Sequence, residues 1–232
     1  MINYKDKNVV ITGASGGMGK ILCSHLAQQG AKLSICSNDI EIMEFAKELS
    51  AQTCVFAKAF DIADENAVAT FFEEAYEKNG QFYALANLAG ISIPGQIPET
   101  EESAYDLMMD VNVKGTFLCC KHFAKYAAEP SIIVNIGSMA ARNANGNAPL
   151  YCTAKAAVNM LSRGLLLQVA SKNIRVTTVN PGGADTPFWG TRAVDRTKLM
   201  QAEDVVDIIL FVLMSNPKVQ IHDIYFESAA KF

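Results

Sequence analysis

No stretch of this chain approaches the roughly 18 consecutive apolar residues that cross a bilayer. The most apolar segment, residues 208–214, counts seven and reads as a buried helix face. Neither sign of charge dominates, since 20 Lys and Arg stand against 24 Asp and Glu for a net −4. That balance excludes a globally basic nucleic-acid binder and gives no pull toward anionic membranes. CxxC pairs are absent, and Cys23, Cys36, Cys54, Cys119, Cys120 and Cys152 are scattered through apolar segments, as core-filling thiols of a reducing compartment would be. A redox role stays open for Cys119-Cys120 and for Cys152. His25, His122 and His222 lie far apart with no HExxH or His-x-His spacing, so no metal site is expected. Repeats, low-complexity tracts and linkers are also missing. The charged residues 1–7 lead straight into a strand, which predicts no secretory signal and a cytoplasmic protein.

What is present suits a packed core: half of the 232 residues are hydrophobic and 19% are charged. That length predicts one domain over 1–232. Short β-branched or apolar runs alternate with longer segments whose apolar residues recur every three or four positions, the rhythm of βαβ units. Strands are predicted at 8–12, 32–36, 54–60, 82–87, 132–136, 175–179 and 219–226, and helices at 17–29, 40–49, 64–78, 103–128 with room for a break, 149–170 and 202–214. Most strands are too apolar to keep a wet face, which predicts an α/β fold: a doubly wound, mostly parallel seven-stranded sheet with helices on both faces, the Rossmann fold. Residues 182–201 break the rhythm with Gly, Pro, Thr, Arg and Asp around Phe188 and Trp189. A loop or short helix is expected there, acting as a substrate lid at about 183–201.

After the first strand comes Thr12-Gly13-Ala14-Ser15-Gly16-Gly17-Met18-Gly19-Lys20, entering an amphipathic helix. Glycines there let backbone N–H groups approach a pyrophosphate whose charge the helix N-terminus favours. A tight turn alone explains such a cluster equally well. Farther on, Tyr151 and Lys155 are spaced i, i+4 on a predicted helix and share one face. A neighbouring ammonium favours phenolate and predicts a phenol acidity closer to neutral, although the same spacing also fits a solvated helix face. Ser138 precedes Tyr151 by 13 residues, at the carboxyl end of a predicted strand where ligands gather in open α/β sheets.

Together these motifs resemble the short-chain dehydrogenase/reductase family, from about residue 9 to 226. Thr12, Gly13, Gly17 and Gly19 match its TGxxxGxG loop, and Asn112-Val113-Lys114-Gly115 matches its NVxG segment. The resemblance implies a catalytic tetrad. Ser138 would orient and polarise a carbonyl or carbinol oxygen, and Tyr151 would give or take its proton. Lys155 would hold the nicotinamide ribose and tune Tyr151, while Asn112 would maintain a proton path through water. It also implies a dinucleotide site made by Gly13, Ser15, Gly16, Gly17, Met18 and Gly19 at the diphosphate and Asp61 with Ile62 near the adenine. Asn87, Ala89 and Gly90 would line the nucleotide side, and Pro181, Gly182 and Thr186 would approach the nicotinamide. Leu88 stands where the family's NNAG motif has a second Asn.

At the end of strand two, Ser37 takes the place of the family's NAD-selecting acid and Asn38 that of an NADP-selecting Arg. Neither repels a 2′-phosphate, so NADP(H) is favoured. NAD(H) stays open because Asp39 follows Gly19 by twenty residues, where an acidic side chain binds the ribose in related folds. Ile93, Met139, Arg142, Phe188 and Trp189 are expected to wall an apolar substrate pocket for a small alcohol or ketone, with Arg142 available to an anion. A homodimer or homotetramer is implied by the resemblance. Two other readings stand beside this one: a non-catalytic NAD(P)-binding regulator, and a related epimerase or dehydratase.

Overall fold

The computed structural model describes residues 3–231. Met1, Ile2 and Phe232, the outermost positions of the expected unit and the start of the charged N-terminal stretch, lie outside the described residues. Seven parallel strands form one sheet in the order β3-β2-β1-β4-β5-β6-β9, with β1 Asn8–Thr12, β2 Lys32–Ser37, β3 Val55–Ala59, β4 Phe82–Asn87, β5 Ala127–Ile136, β6 Ile174–Pro181 and β9 Asp223–Phe226. Every residue of β1 and β6 is buried, as strands must be when helices cover both faces.

One face carries α1 (Gly17–Gln28), α2 (Ile42–Leu49) and α7 (Ala202–Leu213), which bury Leu22, Leu26, Ile42, Val205 and Ile209 against Val9, Ile11 and Ile35. The other carries α3 (Glu65–Asn79), α5 (Gly115–Tyr126) and α6 (Pro149–Val169), which press Phe71, Phe72, Leu118 and Phe123 onto Val10, Leu85 and Ile133. Local chemistry sets the helix starts. Asp64 accepts N–H bonds from Asn66 and Ala67 ahead of α3, Pro149 opens α6, and Gln201 with Asp204 forms a reciprocal cap on α7. Each satisfies donors that the helix leaves unpaired. Because the chain reverses winding direction between β1 and β4, a crevice opens there at the carboxyl edge of the sheet.

The expected strand at 132–136 begins earlier, since β5 starts at Ala127 and pairs it with Phe82 across a register shift. The expected strand at 219–226 is shorter, and only β9 joins the ladder. Residues before it are held by one backbone bond, Thr178 N to the His222 carbonyl, and by side chains: Gln220 Nε2 donates to the Val176 carbonyl and Thr177 Oγ1 to that of Ile221. The long helix expected over 103–128 is two helices, α4 (Glu102–Met109) and α5, joined by a π-helical turn at Asp110–Lys114. The irregular segment contains short 3₁₀ turns. Its ends are tied together where β7 (Ala184–Asp185) pairs in parallel with β8 (Met200–Gln201).

Candidate active site and nucleotide cleft

At the carboxyl edge of β1, a cleft of about 360 Å³ opens over the glycine-rich turn. Gly13 adopts φ +63, and a Cβ there would lie 2.8 Å from the Ala89 nitrogen. A Cβ on Gly19 would meet the Gly13 carbonyl oxygen at 2.3 Å and Ala14 Cα at 2.7 Å. Only bare backbone permits this turn to close against the start of α1. Thr12 Oγ1 accepts from both Leu88 N and Ala89 N, tying the end of β4 to the end of β1. The departure at Leu88 therefore leaves the backbone geometry intact.

Of the residues expected to hold a dinucleotide, Gly13, Ser15, Gly16, Gly17, Met18 and Gly19 line the cleft, as do Ser37, Asn38, Asp61, Ile62, Ala89, Gly90 and Thr186. Asn87 does not. It is buried, and its Nδ2 donates to Asn135 Oδ1 across the strand pair at 2.8 Å. Pro181 and Gly182 lie outside the cleft lining too. A Cβ on Gly182 would strike Glu227. Sequence reading missed Phe60, Leu107 and Val111, which give the cleft apolar walls; their apolar character is what a core residue also shows. Asp39 is directed elsewhere, because its carboxylate accepts the Glu41 N–H at 2.9 Å ahead of α2.

Ser138, Asn112, Tyr151 and Lys155 come together from three supports, the end of β5, the π turn and α6; none of the four lines the cleft itself, and they stand beside Gly90 and Phe188, which do. Ser138 follows β5; its N–H donates to Asn180 Oδ1 at the end of β6, and its hydroxyl accepts from Ala140 N. Asn112 sits in the π turn, a distortion often found at functional sites. Its Nδ2 donates to the Ile91 and Met108 carbonyls, both at 2.9 Å, and its buried Oδ1 has no partner. Lys155 projects from α6, is only 3% exposed, and donates to the Ile136 carbonyl at 3.0 Å. A Cβ on Gly90 would lie 2.8 Å from Asn112 Oδ1 and 3.2 Å from Lys155 Nζ, so both groups converge beside a bare stretch of cleft wall. An acceptor with nothing to accept, next to an ammonium and a glycine-lined cradle, is a donor set suited to a polyhydroxylated, phosphorylated ligand.

Tyr151 lies one turn before Lys155 on α6, with Lys155 Nζ 5.7 Å from its ring centroid. The expected acidification by this ammonium is not what the structure shows. Burial pushes the phenol up to about 12, and the Ser138 hydroxyl and then Arg192 pull it partly back, while the neighbouring Cys152 adds to the rise. Burial also brings Lys155 down to about 8. Desolvation disfavours both charged forms and is the leading cause of each shift.

Of the five residues expected around the substrate, Phe188 lines the cleft and packs its ring 5.8 Å from that of Tyr151. Trp189 packs edge-on against Phe188 and donates from Nε1 to the Ala184 carbonyl. Arg142 is exposed, and its guanidinium stacks 3.6 Å over the Tyr225 ring; it does not line the cleft, and neither do Ile93 and Met139. A second cation beside the site, Arg192, was missed in the sequence. Arg192 lies over the Phe188 and Trp189 rings and donates to their carbonyls. It comes from an aperiodic segment that offers no pattern to read. Among the described residues, no group of three His, Cys, Asp or Glu side chains is placed to hold a metal, and no helix is long and apolar enough to cross a membrane.

Comparison with known proteins agrees with this geometry. The profile of the short chain dehydrogenase family matches residues 7–197. An uncharacterised oxidoreductase of Staphylococcus saprophyticus is 30% identical over 234 residues, covering 97% of this chain and 98% of its own. One from Staphylococcus epidermidis is 27% identical over 228 residues, covering 97% of this chain and 98% of its own. A short-chain type dehydrogenase/reductase from Mycobacterium ulcerans superposes with a TM-score of 0.90 at 23% identity, covering 99% of this chain and 91% of that one. A short chain dehydrogenase from Burkholderia cenocepacia, solved in complex with NADP, gives 0.91 at 23% identity and covers all of both chains. At such identities the structural likeness speaks to the fold.

Proposed function

The chain belongs to the short-chain dehydrogenase family of NAD(P)-binding oxidoreductases, and we propose that it interconverts a small ketone and its alcohol with Tyr151 as the proton donor and acceptor. What supports this reading is the grouping of Tyr151, Ser138, Lys155 and Asn112 beside Gly90 and Phe188, which line a glycine-floored cleft. When bound, the nicotinamide cofactor supplies or receives the hydride. The protein does the rest. The Ser138 hydroxyl holds the substrate oxygen, and Tyr151 delivers a proton to it during reduction or removes one during oxidation. Lys155 anchors the cofactor ribose, and the open Asn112 Oδ1 accepts a water that passes protons toward Lys155. Residues 183–201 act as the lid, with Phe188 laid against the Tyr151 ring to exclude solvent from the proton transfer. One domain over 1–232, a cytoplasmic location and a homodimeric or homotetrameric assembly complete the reading.

A phenol raised by burial stays protonated across the physiological range, so Tyr151 is in the form that can donate a proton during carbonyl reduction, and it donates more weakly than a group whose pKa lies near the working pH. A panel of small ketones, aldehydes and alcohols, followed by absorbance of the reduced nicotinamide, tests the proposal. Turnover of at least one compound is expected. Cofactor binding without turnover across the panel would instead favour a regulatory protein.

NADP(H) is the preferred cofactor in this reading. The Ser37 hydroxyl hydrogen-bonds with that of Ser15 at 2.6 Å, which puts two hydroxyls at the expected ribose end, while the Asp39 carboxylate is engaged by the Glu41 N–H. The NADP held by the Burkholderia cenocepacia neighbour and the 5-hydroxy-NADP of a Thermococcus sibiricus alcohol dehydrogenase of similar fold point the same way. Fluorescence titration should show tighter binding of NADPH than of NADH. Ser37→Asp should reverse that order by weakening NADPH roughly tenfold, about 1.4 kcal/mol; unchanged NADPH binding in this variant would place the phosphate elsewhere.

The pH dependence follows from Lys155. Its folded value of about 8 lies below the ordinary 10.5, so the ammonium is present below about pH 8 and lost above it. kcat/KM for the cofactor reports groups of the free enzyme and should therefore fall tenfold per pH unit above about 8. A profile flat to pH 10 is incompatible with an anchoring ammonium at this position.

A further inference from the structure

The opposite edge of the sheet, away from the nucleotide cleft, holds a second cavity of about 80 Å³ whose lining includes Tyr4, Lys7, Tyr83, Ser131 and Arg175. Arg175, at the start of β6, is 7% exposed and Ser131, in β5, is 4% exposed. Arg175 Nη1 donates to Ser215 Oγ at 2.6 Å and to the Val219 carbonyl at 3.1 Å. Those bonds fix the guanidinium plane, yet its buried Nε and the buried Ser131 Oγ have no hydrogen-bond partner. Lys7 stands over the Tyr4 and Tyr83 rings, with Nζ 6.0 and 5.3 Å from their centroids. Among the described residues, no carboxylate lies within ion-pair distance of Lys7 or Arg175. Glu129, close in sequence to Ser131, is engaged by Asn173 Nδ2.

Two uncompensated cations and two orphaned donors around one cavity, in a chain whose net charge is −4, are costly without an anion. Buried charges are ordinarily paired, and buried donors ordinarily bonded. The cavity volume is that of two or three water molecules at about 30 Å³ each, too small for a nucleotide and adequate for a group of a few heavy atoms. We infer that this cavity binds a small oxyanion, phosphate or carboxylate, with Arg175 Nε and Ser131 Oγ donating to its oxygens and the Lys7 ammonium balancing its charge. Such a ligand joins β5, β6 and the segment before β1 at the edge remote from the chemistry, so it stabilises the fold without entering the reaction.

The test is thermal unfolding of the full chain in increasing inorganic phosphate, or increasing acetate, against sodium chloride at matched ionic strength. A ligand that binds only the folded state raises Tm in a saturable way. Phosphate or acetate should do so beyond the chloride control, and the stronger of the two identifies the preferred oxyanion. Lys7→Gln, at a partly exposed position, should raise the half-saturating concentration at least tenfold and leave oxidoreductase turnover unchanged. Arg175→Met should abolish the response, and if it fails to fold, Lys7→Gln decides alone. The inference is overturned if neither oxyanion exceeds chloride. It is equally overturned if Lys7→Gln responds as the parent does, because the anion would then sit elsewhere, as on the glycine-rich turn.

Discussion

Replacing Tyr151 with Phe should lower kcat by about 10³-fold, at the centre of the 10² to 10⁴ range typical of general acid–base groups and equal to about 4 kcal/mol of barrier. The change removes one oxygen. The ring contact with Phe188 persists, since it involves the ring and not the hydroxyl, and Lys155 keeps its bond to the Ile136 carbonyl. Dissociation constants for the cofactor should therefore stay within about twofold of the parent, a difference under 0.5 kcal/mol. Steady-state rates together with fluorescence titration separate the two effects. Retained turnover would refute the assignment of Tyr151, and joint loss of turnover and binding would show that the phenol anchors the cofactor.

The second large effect is expected from Gly19→Ala. Its added carbon would lie 2.3 Å from the Gly13 carbonyl oxygen and 2.7 Å from Ala14 Cα, both parts of the same rigid turn. No side-chain rotation relieves either contact, so the turn must open and its N–H groups move away from a bound diphosphate. Overpacking of this kind costs about 1–3 kcal/mol, which should appear as a modest drop in Tm with native circular dichroism retained. Cofactor affinity should fall by at least about tenfold, 1.4 kcal/mol, and turnover at fixed cofactor should fall with it. Parent-like affinity would mean that the diphosphate does not depend on this turn.

The sheet was legible because its strands are continuous apolar runs separated by helical periodicity, and β1 and β4 match their expected limits to the residue. Errors gathered where nonlocal pairing overrides local preference. Ala127 and Ala128 carry no strand signal, yet they extend β5 beside Phe82. Residues 219–222 look strand-like, but apart from one backbone bond, from Thr178 N to the His222 carbonyl, they are held by side chains of Gln220 and Thr177. Motif spacing singled out Ser138, Tyr151, Lys155 and Asn112, which the fold brings close together, and most of the residues that line the cleft. It did not give the electrostatics, because counting charges between Tyr151 and Lys155 leaves out the burial that raises one group and lowers the other. Arg192 was invisible for a different reason. Its contacts with Phe188 and Trp189 are local, but they arise from a 3₁₀ turn without sequence periodicity, inside the stretch closed off by the pairing of β7 with β8.

That pairing has a further meaning. Ala184 meets Met200, and Asp185 meets Gln201, so the intervening stretch leaves and rejoins the body of the molecule at nearly one point, like a handle on a cup. Its tip can lengthen, shorten or change chemistry while the rim stays put. Changes there would reach the nucleotide cleft only through Thr186, Pro187 and Phe188, the handle residues that line it.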